Sequence, residues 1–359
     1  MLDKKKYIKN YTLDRLKQEL EQSGFEKYRS EQIFNGIYVN RKGSFEEIGN
    51  LPKDLVDFLE KNFNIGVFGS YSMRKSADGS IKLLYKLEDG NSIEAVYMPW
   101  HDEDNPERVT LCISSMAGCP LECAFCATGT MGLIRNLETA EIVDQILETE
   151  KIIGKKINNI VFMGMGEPLM NFRKVEDAIE ILTDEKNKLL SRRKITLSTS
   201  GIPEKITRLA DIKKPVKLAI SLHATTNGSR EKIMPIAKSH NLQKLLDSVE
   251  LYYRATKMPI TYEYIPFKDY NDSEEDAKRL AKIAKRVPSR VNLIPFNDIS
   301  FTGAGGISAQ LKPLSPEEMQ AFGNSIRKHG GIVVIRDTFG KDIEGACGQL
   351  ALSEGKNND

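Results

Sequence analysis

The sequence predicts an α/β fold: a parallel sheet curled into a partial (β/α)6 barrel, with a small helical N-terminal domain, a short β-hairpin region and a C-terminal extension. Three observations predict it. From residue 108 onward, short apolar strands alternate with amphipathic helical stretches, the pattern of a parallel sheet covered by helices. Residues 12–63 repeat their apolar side chains at three- and four-residue spacing, the period of a helix. Between these regions, residues 66–99 alternate with period two and carry Asp-Gly at 78–79 and 89–90, a strong hairpin signal.

In chain order, LDRLKQELEQSG, YRSEQIFNGIYV and LPKDLVDFLEKNF read as helices, with Gly24 and Gly43 as stop signals. The hairpin strands follow. The barrel strands are RVTLCIS (108–114), NIVFMGMG (159–166), KITLSTSG (194–201), VKLAISLH (216–223), ITYEYIPF (260–267) and RVNLIPFN (290–297). Helices begin near Thr139, Val175, Pro203, Leu242 and Ser273, the last with acidic residues early and basic residues late, as the helix dipole favours. One more helix (SPEEMQAFGNSIRKHG) and one apolar strand (GIVVIRD) complete the chain. The expected divisions are 1–65 (helical), 66–104 (antiparallel), 105–300 (barrel) and 301–359 (extension).

The chain has 359 residues, 28% of them charged, with a net charge of +2. So balanced a charge gives no long-range pull on nucleic acid; RNA contact would have to come from local clusters such as SRRK (191–194), Lys213-Lys214 and KIAKR (282–286). Each of these also reads as an ordinary solvated face. No apolar run reaches the ~18–20 residues of a membrane span, and the first residues lack the apolar core of a secretory signal. A monomeric cytoplasmic protein is the expectation.

Cys112, Cys119, Cys123 and Cys126 fall within fifteen positions, and Cys347 stands alone. In CPLECAFC (119–126), three thiols at spacings of four and three follow the first barrel strand, at the end where α/β sheets build their sites. Thiolates are the ligands of iron–sulfur clusters, and three of them on a 4Fe–4S cube leave one iron open. A structural zinc is the alternative, but it prefers four closed ligands, and no second cysteine pair or close histidine is present. Polar groups recur at the same end of later strands: Gly166 and Glu167 in GMGEP, Ser198 and Ser200, Ser221-Leu222-His223, and Asn297. Taken singly each reads as a turn or cap residue; together they suit a polar cofactor.

The CxxxCxxC motif, with Phe125 before the third cysteine, resembles the radical S-adenosylmethionine (SAM) superfamily. CISSMAGCPLECAFCATG, RNL (135–137), FMGMGEPLMN, LSTSGIP, ISLHA, NLIPFN and DIEGACGQL together look like the bacterial RlmN family, over about 94–350. The resemblance implies a six-unit radical SAM barrel holding one 4Fe–4S cluster on Cys119, Cys123 and Cys126. SAM would be bound by Gly166, Glu167, Ser198, Ser221, Leu222, His223 and Asn297. It also implies an enzyme that makes 2-methyladenosine in 23S rRNA near the peptidyl transferase centre and in tRNA beside the anticodon. Flavodoxin or ferredoxin would be the reductant.

Adenine carbon 2 lies between two ring nitrogens and is too electron-poor to displace a methyl group from a sulfonium; a thiolate is nucleophilic enough. The family's route, carried onto this sequence, consumes two SAM per turnover. Cys347 takes a methyl group from the first. A radical derived from the second abstracts a hydrogen atom from it, and the methylene radical adds to carbon 2. Glu94, in NSIEAVYMP, takes the proton, and Cys112 attacks Cys347 to release the product as a disulfide forms. Read without the resemblance, Glu94 is a charged residue on an alternating strand, and Cys112 and Cys347 are small buried hydrophobes. Two other functions stay open: a Cfr-type carbon-8 methyltransferase, and a non-catalytic iron–sulfur RNA-binding protein.

Overall fold

The structure is a computed structural model that describes residues 5–99, 108–187 and 189–352. The boundary expected at 104–105 and the polar tail from 353 lie outside these residues. Strand β1 (Lys6–Tyr7) precedes helices α1 (Leu13–Gln22), α2 (Arg29–Tyr38) and α3 (Lys53–Asn62), and β2 (Phe63–Asn64) follows them and pairs with β1. Strands β3 (Phe68–Lys75), β4 (Ile81–Leu87) and β5 (Ser92–Pro99) are antiparallel, turning at the two Asp-Gly pairs.

The parallel strands are β6 (Val109–Cys112), β9 (Asn159–Phe162), β10 (Ile195–Thr199), β11 (Lys217–Ser221), β12 (Ile260–Tyr264), β13 (Ser289–Leu293) and β14 (Val333–Ile335). A small hairpin, β7 (Met116–Gly118) and β8 (Leu133–Asn136), interrupts the series. The helices are α4 (Thr139–Ile153), α5 (Phe172–Leu182), α6 (Pro203–Ala210), α7 (Asn227–Ile233), α8 (Leu242–Thr256), α9 (Glu274–Ala284) and α10 (Pro316–Lys328). Local chemistry sets their ends. Ser315 and Glu318 form a reciprocal capping box on α10 with Pro316 in its first turn, and left-handed Gly154 stops α4.

All six expected barrel strands form; the β7–β8 hairpin and α7 are additions to the expected elements, and three further features differ from the sequence reading. The strands end two to four residues early, because the polar motifs belong to loops at the barrel mouth. GIVVIRD supplies β14, which pairs parallel with β13 and adds a seventh strand to the curved sheet. The antiparallel strands are not a separate sheet: β5 pairs with β6, so β14-β13-β12-β11-β10-β9-β6-β5-β4-β3 is continuous among the described residues.

Alternation in the barrel strands separates core from site. Leu111, Ile160, Leu197, Leu218, Ile220, Tyr262 and Val291 are at most 1% exposed and pack outward into the helical layer, each worth roughly 1.5–3 kcal/mol. The residues between them, including Thr110, Cys112, Thr196, Lys217, Thr261 and Glu263, face an interior cavity. The N-terminal helices are fastened to α4 by a buried Lys9–Asp144 ion pair, and Asn10 Oδ1 accepts a hydrogen bond from the Ala140 N–H at 2.9 Å.

Candidate active site

The cysteine loop hangs between β7 and β8. The Cys119 N–H donates to the Gly132 carbonyl (2.9 Å), Ala124 to Ile233 (2.9 Å) and Ala127 to Gly348 (2.6 Å), so the loop is tied both to the barrel and to the C-terminal extension. Gly118 has φ +76°, and a Cβ there would lie 2.0 Å from the Gly132 carbonyl oxygen. This close approach explains a hairpin that strands of three and four residues do not announce in sequence.

Cys119, Cys123 and Cys126 line one cavity with Gly166, Glu167, Ser198, Ser200, Ser221 and His223. Burial pushes the Cys119 thiol up to about 12 and Cys123 well above its ordinary value; Cys126 raises both further, and Cys119 also raises Cys123. Three thiols lining one cavity, two of them held protonated by burial, are a donor set suited to a strongly cationic group, whose charge would favour their thiolate forms. Among the described residues no three His, Cys, Asp or Glu side chains converge on a single ion. An iron–sulfur cube, whose ligands stand on separate irons, fits this donor set better than mononuclear zinc.

Around the cavity the polar groups are already engaged. Glu167 Oε2 accepts from the Ser200 N–H (2.8 Å) and the Ser200 hydroxyl (2.6 Å), and Oε1 accepts from the Leu169 N–H (3.0 Å). The Thr199 side chain adds a hydrogen bond to the same carboxylate, which borders the cavity where an ammonium group would be met. His223 Nδ1 accepts from the Ile265 N–H (3.1 Å), and burial followed by the Arg230 charge pushes its pKa down to about 3. It is a neutral imidazole with its proton on Nε2. Its ring meets Phe125 edge-on at 4.6 Å, so a packing role and a place in the cavity wall coexist. Ser198 and Ser221 approach at 3.4 Å. Leu222 is fully buried and does not line the cavity; its main chain bonds Glu263 and Arg230.

A second cavity, partly open to solvent, occupies the barrel interior and is lined by both Cys112 and Cys347. Cys347 also lines the first cavity and thus stands between the two. Both thiols are free. Burial raises the Cys112 pKa, and Cys347 raises it further. Cys347 is open to the solvent in these cavities, yet burial within them, then Glu263, push its thiol up to about 11. Asn297 lines this second cavity rather than the first, and its Nδ2 donates to the Cys347 carbonyl at 3.1 Å.

Glu94 lies on β5 two positions before Val96, which is opposite Cys112, so its side chain shares the inward face. It lines neither cavity. It is completely buried, ion-paired with Lys82 at 3.1 Å, and its Oε2 accepts from the Leu352 N–H at 3.2 Å.

Sequence reading missed Arg230, Glu263 and Asn292. Arg230 is fully buried and donates to the carbonyls of Ser200, Leu222 and Ser221, tying together the ends of β10 and β11. No local pattern marks it. Glu263 and Asn292 did leave a signal: polar residues in phase with the inward positions of ITYEY and RVNL. Of the expected basic clusters, Lys213, Lys214 and Arg286 are paired with acidic residues. Arg193 and Lys194 instead join Arg108 and Arg290 around Lys217, whose pKa falls through burial and these four charges.

Residues 113–281 match the model of the radical SAM superfamily. A relative from Thermotoga neapolitana named "probable dual-specificity RNA methyltransferase RlmN" is 42% identical over 348 residues, 97% of this chain and 98% of its own. The chain belongs to the RlmN family of radical SAM RNA methyltransferases. A relative of the same name from Clostridium novyi is 39% identical and covered over its whole length. A radical SAM methyltransferase from Sphaerobacter thermophilus superposes with a TM-score of 0.86 at 34% identity, over 96% of this chain and 99% of that one. RlmN membership makes the protein a SAM-dependent enzyme and implies a 4Fe–4S cluster. No helix among the described residues is long and apolar enough to cross a membrane.

Proposed function

We propose that this enzyme makes 2-methyladenosine in 23S rRNA, near the peptidyl transferase centre, and in tRNA at the adenosine 3′ of the anticodon. The observation that carries the reading is the position of Cys347, which lines the cavity of the three cluster cysteines and also the cavity of Cys112. A thiol so placed meets a cofactor on one side and a base on the other.

Cys119, Cys123 and Cys126 would hold the cluster, with Gly166, Glu167, Ser198, Ser221, His223 and the Leu222 main chain around SAM. Bound there, the cluster and SAM supply one-electron sulfonium cleavage and carbon-radical chemistry, with two SAM used per turnover. The chain's own residues do the rest. Cys347 loses its thiol proton and takes a methyl group, S-adenosylhomocysteine leaving. After that carbon is joined to carbon 2, the adduct gives up one electron, for which the oxidised cluster would be the acceptor, and Glu94 accepts the proton that carbon 2 gives up, once Lys82 and Leu352 release its carboxylate. Cys112 then attacks the Cys347 sulfur: an S–S bond forms, the sulfur–carbon bond to the product breaks, and the freed carbon gains a proton. Asn297 holds the Cys347 main chain in place. Flavodoxin or ferredoxin supplies electrons, and the protein works as a cytoplasmic monomer. The cations around Lys217 and the 1–65 region suit RNA phosphates and stem shape, and the target base is splayed from its stack to reach the thiols.

Anaerobic reconstitution with iron, sulfide, reductant, SAM and RNA tests this reading. Nucleoside mass spectrometry should find 2-methyladenosine, and peptide mass spectrometry should find a methyl group on Cys347. 8-Methyladenosine would move the enzyme to the Cfr-type reaction, and absence of SAM cleavage would leave a non-catalytic iron–sulfur protein.

A further inference from the structure

The wall of the cavity shared by Cys112 and Cys347 holds a hydrogen-bond acceptor with nothing to accept. Asn292, on β13, is 7% exposed and lines this cavity. Its Nδ2 donates to Glu263 Oε1 at 3.0 Å, while its buried Oδ1 has no hydrogen-bond partner. A buried unpaired acceptor is costly to a fold, so sites that retain one commonly use it.

The orientation of this amide is fixed by its neighbour. Glu263 stands opposite Asn292 in the parallel register of β12 and β13 and is 5% exposed. Turning the amide over would set its oxygen against the carboxylate oxygen. In its ionised form the carboxylate keeps Nδ2 toward itself and leaves Oδ1 free for a donor. Glu263 lines the same cavity and interacts electrostatically with Cys347, which places the pair beside the reacting thiol.

We infer that Asn292 Oδ1, oriented by Glu263, accepts a hydrogen bond from the exocyclic 6-amino group of the target adenine and so selects adenine among purines. This rests on the adenine methyltransferase reading above. Adenine and the other purines stack alike, so apolar contact discriminates poorly between them. An amine opposite a buried acceptor is different: a 6-oxo purine would set oxygen against oxygen, and an unsubstituted purine would leave Oδ1 unpaired.

The test uses the reconstituted full-length enzyme and one RNA stem-loop carrying adenosine, purine ribonucleoside or inosine at the target position. Binding is read by fluorescence anisotropy and methylation in single turnovers. The wild type should favour adenosine over both analogues by about 10–100-fold. Asn292→Ala and Asn292→Leu, each checked for wild-type melting and SAM cleavage, should bring adenosine down to the level of purine ribonucleoside and leave the purine RNA unchanged. Equal handling of the three RNAs by the wild type overturns the inference, with or without folded variants. So does a variant that weakens adenosine and purine RNAs equally. Failure of the wild type to methylate adenosine RNA at all would count against the preceding reading instead, and the binding preferences would still decide this one.

Discussion

The Lys82 ammonium lies 3.1 Å from the Glu94 carboxylate, with the two side chains 3% and 0% exposed. The contact is ionic rather than an aligned hydrogen bond, since Glu94 Oε1 has no hydrogen-bond partner. Both residues also hold the segment that follows β14: Lys82 Nζ donates to the Glu344 carbonyl at 3.4 Å, and Glu94 accepts from Leu352. Cys347 lies between these two anchors. Lys82→Met should strand a buried carboxylate and cost about 3–5 kcal/mol in urea unfolding. Adding Glu94→Leu should recover much of that loss, and limited proteolysis should cut the single variant faster after residue 340. A single variant as stable as the double would contradict the pairing.

Cys112 and Cys347 have different tasks in the proposed cycle, so their variants should fail differently. Cys112→Ala should complete carbon–carbon bond formation and stall before release, accumulating a protein–RNA adduct on denaturing gels. Cys347→Ala should form no adduct and no product. Adduct in the Cys347 variant would assign the methyl carrier to another residue.

Gly118→Ala should damage the cysteine loop. The left-handed backbone alone costs about 1–3 kcal/mol for a residue with a side chain, and the Gly132 carbonyl oxygen stands 2.0 Å from the added carbon. The expected result is a lower melting temperature and less iron retained per chain after anaerobic reconstitution. Iron content equal to wild type would show that the loop tolerates the shift.

Burial, the largest cause, lifts the Glu263 pKa to about 7 from 4.5. Between those values the folded chain binds more protons than the unfolded chain, so stability falls as pH rises. Each pH unit crossed costs about 1.4 kcal/mol. Glu263→Gln should remove this decline, so that unfolding free energies of wild type and variant diverge from pH 5 to pH 7 and run parallel above. Parallel curves throughout would mean that Glu263 ionises normally.

Much of the fold was legible because its signals are local. Period-two and period-3.6 patterns located all six expected barrel strands and five of the six helices between them, α7 being missed, and the Asp-Gly pairs located both hairpin turns. The cysteine spacing grouped three thiols that the fold brings to one cavity, and residues 198, 221 and 223 line that cavity where a strand-end argument puts them. The hairpin β7–β8 was not legible, because it rests on one glycine and a carbonyl fourteen positions away. Nor was Arg230, an unremarkable charge on a short helix until folding buries it against three carbonyls.

By itself the sequence determined which thiols and strand-end polar groups are candidates for chemistry, since thiol spacing and strand-end polarity are properties of neighbours along the chain. Tertiary structure alone decided which of them share a cavity. Cys112 and Cys347 are 235 positions apart, and only the closure of β14 and its following segment over the barrel brings them to one space. The same closure buries Glu94 against Lys82. Register, likewise, gives Asn292 the neighbour that fixes its amide, because the spacing between residues on different strands is set by hydrogen-bonded pairing and by no pattern within either strand.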